Sequence, residues 1–417
     1  MNPQKPVLLV IGAGTLSTPA LLRLSTKHDV LALGTSIPQP SPDERTAWRT
    51  ERCDARDSQR VLKIAYRERP CAVMSLNDFG MNAACTATTK LGLLGLTERQ
   101  TQICLDKHVQ KQFLEMHCLP TAQSAVFRDT QSFTRAWNEL GATDCFIKPL
   151  NAGGGSRAVC RISSLQQGLL HLASHPTEFH NGGLVELPLV GTEHAVEVLL
   201  TGATWQIVSF CDKQNYAESE TVVQHQIFPG PVASKRLPMI REVIRRLVDA
   251  LGPAYGSLHL EVITSNSSCT VLEFSGRPGG SYNFEPVPRT TMNFDYPNEL
   301  AAALLGETLR ASARPTGFFV SISHASVPEP DLAEGFGYGG ISLHVPSSDR
   351  VGFVSYAKDG STWNGLTNDL VRPGYFYAIS ESADGASQVT RELVDSHQVV
   401  YDQERRTWRL QYNNASN

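Results

Sequence analysis

Two β-patterned runs, Gly256-Ser257-Leu258-His259-Leu260-Glu261 and Leu272-Glu273-Phe274-Ser275-Gly276-Arg277-Pro278-Gly279-Gly280, flank the turn-rich Thr264-Ser265-Asn266-Ser267-Ser268. The pattern predicts a hairpin. Alternate residues of a strand share a face, so Ser257, His259 and Glu261 point one way, as do Glu273, Ser275 and Arg277 on the partner. Centring the turn on Ser267 sets Glu261 opposite Glu273, His259 opposite Ser275 and Ser257 opposite Arg277. Two facing carboxylates repel, which costs stability unless a cation or a proton joins them. Acidic oxygen ligands without a thiolate suit Mg²⁺ or Mn²⁺, and Arg277 is placed to hold an anion gathered around such a metal. A solvated acidic patch on an exposed sheet face is the plainer alternative.

Upstream, Val7–Ile11 is a short apolar run followed by Gly12-Ala13-Gly14 and by Leu16, Ala20, Leu21 and Leu24 at helical spacing. Further strands are expected at Val30–Leu33 and Ala72–Ser75, with a helix over Ser58–Arg69 between them. Alternating strands and helices imply a parallel sheet covered by helices. Gly12-x-Gly14 invites a dinucleotide-binding reading, but Ser17 occupies the third glycine's place, and Leu31-Ala32-Leu33-Gly34 offers no acid for a ribose. A tight strand-to-helix turn accounts for the glycines; a nicotinamide oxidoreductase is the weaker alternative. Asn77–Gly92 reads as a small-residue helix, and Thr97 and Asp106 as caps of the next two helices. From about Ala125 short strands take over: Cys145–Lys148, Ala158–Ile162, Leu184–Leu187, Ala195–Leu200 and Trp205–Cys211. Leu237–Leu251 is a strongly amphipathic helix, and Phe318–Leu410 is again mixed β and α.

At 417 residues the chain exceeds the roughly 250–300 at which one core stops growing, so two or three subdomains are expected. A net charge of -4 without basic clusters argues against nucleic acid or an anionic membrane as the main partner. No segment approaches the ~18 apolar residues of a membrane span, and Val7–Ile11 is too short for a signal peptide. Cysteines at nine scattered positions, with no C-x-x-C, read as small core residues of a reducing, cytoplasmic compartment.

Two lysines stand out. Lys107 opens a helix after Asp106, and Lys148 ends the apolar strand Cys145-Phe146-Ile147, a place suited to reaching an anion. Gly153-Gly154-Gly155-Ser156-Arg157 follows closely, and its glycines allow backbone N–H groups to approach phosphate oxygens. It lacks the P-loop lysine, and a ligand-free hairpin tip is the alternative.

In order, these pieces resemble the ATP-grasp superfamily, specifically its carboxylate–amine ligases of the L-amino-acid (dipeptide) ligase type. The matching residues are Asp106-Lys107-x-x-x-Lys111, Phe146-Ile147-Lys148-Pro149, Gly153–Arg157, Val185-Glu186-Leu187-Pro188-Leu189-Val190-Gly191-Thr192-Glu193, Gly256–Glu261 and Leu272–Gly280. Ser75-Leu76-Asn77-Asp78 and Leu91–Gly95 look like the family's pre-grasp domain. The resemblance covers residues 5 to 310. It implies an α/β and α+β fold: a Rossmann-like pre-ATP-grasp domain (1–104), an ATP-grasp small subdomain (105–183), a large subdomain with the metal site (184–312) and a C-terminal mixed α/β region (313–417).

The resemblance also implies roles. Lys107 and Lys148 would bind ATP phosphates, and Gly154, Gly155 and Ser156 would close over them. Glu186, Leu187 and Leu189 would form the adenine hinge, Glu193 would take the ribose, and His225 lies where relatives carry a polar nucleotide-site residue, an ordinary surface histidine being the alternative. Glu261 and Glu273 would hold Mg²⁺, with Ser275 where the family has Asn; Arg277 would steady an acyl phosphate. Gly279 and Gly280 would admit a substrate carboxylate; Tyr282, Phe284, Arg289 and Phe294 are candidate pocket residues, and Arg289 could pair with a carboxylate, a structural salt bridge being the alternative. The implied function is ATP-dependent joining of a small carboxylate, an amino acid or N-acyl amino acid, to an amine, with homodimers the common habit. Alternatives are a biotin-carboxylase-like or purine-pathway enzyme, and a nucleotide-binding regulator without turnover.

Overall fold

The computed structural model describes residues 5–37, 48–141, 143–151, 154–217, 219–280, 283–325, 337–338, 350–355, 361–362, 372, 374–402 and 407–412. The chain forms two compact units, each assembled from separated stretches. The first comprises Met1–Thr121, Ala195–Phe210 and Arg236–Thr316, and the second the remainder.

In the first unit the strands Trp48–Arg52, Asp29–Gly34, Val7–Ile11 and Ala72–Ser75 make a parallel sheet in that spatial order. This is the arrangement of a Rossmann half, with the chain winding outward from its first strand. Leu9, Ile11, Leu31, Leu33 and Val73 join Val61, Ile64 and Ala65 of the helix Ser58–Glu68 in one buried cluster. Gly12 turns the chain at φ +76°, and a Cβ there would lie 2.4 Å from Asn77 Nδ2. That amide donates to the Gly12 carbonyl at 3.0 Å. The expected Asn77–Gly92 helix is split, because Asn77 Oδ1 accepts from Gly80 N and tightens Asp78–Gly80 into a 3₁₀ turn before the α-helix Met81–Leu91. Thr97 and Asp106 cap the helices Glu98–Leu105 and Lys107–Met116 as expected.

The first unit also holds the hairpin of Ala254–Thr264 and Cys269–Ser275, hydrogen-bonded onward to residues 195–202 of the strand Thr192–Gly202, and these to residues 204–210 of the strand Thr204–Tyr216. The helix Pro231–Leu251 begins six residues earlier than the amphipathic pattern suggests and runs through Pro238. Its first turn lies in the second unit and is anchored there by Asp212, whose carboxylate accepts from Val232 N and Ala233 N at 2.7 and 2.9 Å. Within the first unit Ile240, Val243, Ile244 and Leu247 form its buried stripe.

In the second unit Ser124–Phe127, Gly183–Glu186, Cys145–Pro149 and Cys160–Ile162 form an antiparallel sheet. The helices Thr130–Glu139 and Leu165–Ser174 pack on it around Phe127, Phe133, Ile147 and Val185. Ala158, expected to begin a strand, sits at φ +50°, so the strand starts at Cys160. Ser219–Phe228, Phe319–His324, Gly374–Ser380 and Val351–Ser355 pair antiparallel in that order. The helix Ala383–Ser396 docks there through Thr390, bonded to Ser321 and Ser323. None of the nine cysteines forms a disulfide with another, and no helix among the described residues is long and apolar enough to cross a membrane.

Candidate functional site

The hairpin sets His259 opposite Ser275 and Glu261 opposite Glu273. The turn is not centred on Ser267. Thr264 pairs with Cys269, and a bulge between Glu261 and Val262 shifts the register by one residue before the carboxylates are reached. Offset and bulge cancel, so the acidic pair falls where a symmetric, bulge-free hairpin would put it; such bulges re-aim side chains near functional sites.

Glu273 Oε2 receives Lys107 Nζ at 2.5 Å. The lysine stands at the first position of its helix, whose N-terminus Asp106 caps by accepting from His108 N and Val109 N. Burial favours the neutral amine, but Glu273, Asp78 and Glu261 outweigh it and raise the Lys107 pKa, keeping the charge. One cation thus relieves one of the facing carboxylates.

Glu261 is served differently. His259 Nε2 lies 3.5 Å from Glu261 Oε1, and His259 Nδ1 shares a proton with Glu197 Oε1 at 2.6 Å. Burial alone would lower the His259 pKa; the Glu197 charge and hydrogen bond, with Glu261, raise it to about 9. Glu197 is buried in the strand Thr192–Gly202, and its second oxygen accepts Gly279 N at 3.0 Å. A Cβ at Gly279 would sit 2.2 Å from Glu197 Oε1, so the close approach requires glycine. Gly280 faces open space.

Arg277 is gripped from the parallel-sheet side. Its Nε and Nη2 donate to Asp78 Oδ1 and Oδ2 at 3.1 and 2.9 Å, a bidentate fork, and Ser275 Oγ donates to Asp78 Oδ1 at 2.5 Å. Burial opposes the guanidinium charge, and Asp78, Glu197 and Glu261 together raise its pKa. Arg289 forms an ion pair with the buried Glu285 at 2.7 Å. Phe284 and Phe294 are buried, while Tyr282 lies outside the described residues. Asp78, Glu197 and His259 are thus members of the cluster whose roles the sequence motifs left unassigned. A lone glutamate inside the apolar Ala195-Val196-Glu197-Val198-Leu199-Leu200 was the signal for one of them.

In the second unit Lys148 Nζ lies 3.1 Å from Glu186 Oε2, both side chains at least nine-tenths buried. Lys148 pairs with Leu184, so Glu186 is its diagonal neighbour on the same sheet face. Leu187 N donates to Gln123 O at 2.9 Å; Leu189 is half-buried beside the exposed Val190. Gly155 and Ser156 both adopt positive φ, +86° and +56°, and Gly154 precedes them; Gly153 lies outside the described residues. Glu193 is ion-paired with Lys213. His225 Nδ1 bonds to Ser323 Oγ at 2.7 Å and its Nε2 to Ser387 Oγ at 3.3 Å. Burial first, then Arg391, lowers its pKa to about 4.

Among known proteins, no family model and no curated protein matches the chain. Solved structures do. The L-amino acid ligase from Bacillus licheniformis is similar at TM-score 0.76 and 17% identity, covering 99% of this chain and 100% of that one. Carboxyaminoimidazole ribonucleotide synthase from Aspergillus clavatus, complexed with ATP, is similar at TM-score 0.73 and 14% identity over 94% and 98% of the two chains. The biotin carboxylase domain of Hydrogenobacter thermophilus 2-oxoglutarate carboxylase, a dimer with MgADP, gives TM-score 0.72 and 12% identity over 99% and 92%. These neighbours are ATP-grasp enzymes, and the chain has their fold.

Proposed function

We propose that the chain is an ATP-dependent carboxylate–amine ligase that forms an amide or peptide bond through an acyl phosphate and releases ADP and phosphate. The observation that carries this reading is the facing pair Glu261 and Glu273, with Lys107 on one member and Arg277 held beside them. The likeness to an amino acid ligase along almost the whole chain supports an amino acid or small N-acyl amino acid as the carboxylate. Small molecules are then its partners, in a cytoplasmic and dimeric setting.

The donor set fits Mg²⁺, which takes one or two carboxylates plus substrate phosphates and keeps its waters. Glu261 and Glu273 would hold it, and it would supply neutralisation of phosphate charge. Ser275 already donates to Asp78, which leaves that hydroxyl's lone pairs as its remaining acceptor capacity.

A carboxylate resists an amine at neutral pH because its leaving group would be an oxide. Taking the γ-phosphoryl of ATP turns that oxygen into a phosphate, which leaves readily. The chain's part is positioning and charge. Lys107 meets transferred phosphate charge, and Arg277, immobilised by Asp78, faces the acyl phosphate and then the oxyanion formed when the amine attacks. Gly279 lets substrate approach backbone beside Glu197. In the second unit Lys148, Gly154, Gly155 and Ser156 are proposed as further phosphate contacts, Glu186, Leu187, Leu189 and Glu193 as nucleoside contacts, and His225 as their polar neighbour. Arg289 and Gly280 are proposed for the substrate's carboxylate end.

One observation favours a second reading, a nucleotide-binding regulator: Ser275, at the family's Asn position, is turned to Asp78. Incubation with ATP, Mg²⁺ and a panel of amino acids, reading ADP and phosphate, separates the two. Substrate-dependent ADP release supports the ligase. AMP with pyrophosphate refutes the acyl phosphate, and ATP binding without turnover selects the regulator.

A further inference from the structure

Away from the hairpin cluster, the first unit contains a cavity of about 310 Å³. Its wall includes Lys27 and His28, between the helix Thr18–Ser25 and the strand Asp29–Gly34, and Asn298, on the helix Tyr296–Leu304. Glu307 and Arg310 complete it, just beyond the left-handed turn at Gly306. None of these residues belongs to the carboxylate site.

The chemistry of the wall is specific. Lys27 and Arg310 bring two fixed positive charges, and Glu307 one negative charge. The Arg310–Glu307 contact is loose, 3.8 Å between side chains that are 61% and 50% exposed, so neither group is committed to the other. His28 is 92% buried by its 8% exposure, yet its ring makes no hydrogen bond with any described residue. Burial, with Lys27, Arg310 and Lys5 against Glu307, lowers its pKa, so the imidazole is neutral and offers one donor and one acceptor. Its ring nitrogens are not sealed in the core but reachable from the cavity His28 lines, so they can bond to whatever occupies it.

A ligand complementary to this wall carries an anion and a cation a few bonds apart. We propose that the cavity is a second binding site, for a free α-amino acid. The carboxylate meets Arg310 and Lys27, the ammonium meets Glu307, and His28 bonds to either end. Inorganic phosphate would satisfy the basic pair but would face Glu307 unfavourably. The volume stands at the lower end of small-molecule pockets, the size for one amino acid rather than a nucleotide. The inference rests on the cavity alone and does not depend on the ligase assignment.

Calorimetric titration of the full chain without ATP tests it, using free α-amino acids, their N-acetyl and carboxamide derivatives and inorganic phosphate as probes. Arg310→Glu and Lys27→Glu, both surface changes, serve as independent variants. The expected result is an amino-acid binding event that both variants weaken by about tenfold or more, the loss of one charged hydrogen bond. Blocking either the amine or the carboxylate should do the same. The proposal is overturned if no amino acid binds, if every binding event survives both variants, or if phosphate or the N-acetyl derivatives bind as tightly.

Discussion

Asp78→Ala removes the fork beneath Arg277 and the acceptor of Ser275 Oγ at once. Arg277 and Asp78 side chains each retain 13% exposure, so the pair is largely desolvated. Removing one member of such a pair costs about 3–5 kcal/mol, because a charge is left buried without its partner. Glu197 and Glu261 also act on the Arg277 charge and soften the loss, which places the expected value near the lower end, about 3 kcal/mol. Asp78→Asn keeps an oxygen for one of the two guanidinium bonds and loses the charge, so roughly half that loss is expected. Urea unfolding of the full chain reads both variants, with a lowered midpoint and an unchanged slope for the unit concerned. ADP release should fall in both, since Arg277 is no longer aimed. If Asp78→Ala unfolds within about 0.5 kcal/mol of the parent, as an ordinary surface change does, Arg277 is not held by this fork and the positioning argument fails.

Glu273→Gln should abolish substrate-dependent ADP release while circular dichroism and melting remain near normal; near-normal turnover would refute the carboxylate assignment. Gly279→Ala forces a methyl within 2.2 Å of Glu197 Oε1, and a displacement of that order is expected to lower kcat by about 10²-fold together with a lowered melting temperature. Gly12→Ala meets both a φ of +76° and Asn77 at 2.4 Å, so it should lower stability and leave ATP affinity unchanged; the opposite result would revive the dinucleotide reading. The folded His225 pKa, about 4, lies below its ordinary 6.5, so the unfolded chain binds more protons in that window. Stability therefore falls as pH drops from 6.5 towards 4, and His225→Gln should flatten that limb of the urea midpoint against pH.

Local chemistry made much of this protein legible. Short apolar runs, the glycine turn at Gly12 and the caps Thr97 and Asp106 act over a few residues, so the parallel sheet and the helices Glu98–Leu105 and Lys107–Met116 follow from their own segments. Strand alternation placed Glu261 and Glu273 face to face, although the turn offset and the compensating bulge were invisible, because bulges answer to neighbouring strands and not to the hairpin's own pattern. Pro238 shows the converse: a residue that ordinarily breaks helices is carried inside Pro231–Leu251.

What lies beyond local chemistry is partnership. Lys107 reaches Glu273 across 166 residues and Arg277 reaches Asp78 across 199, and Glu197 bridges His259 and Gly279 from another strand. A sequence states which groups carry charge and how each is spaced along its own element. Which charges neutralise one another depends on how elements distant in the chain are brought together, since Coulomb and hydrogen-bond energies follow distance in space. The residue types thus announced an anion-handling site, and only the tertiary structure decided that Asp78 holds its arginine, Lys107 shields one carboxylate and Glu197 orders the other's histidine.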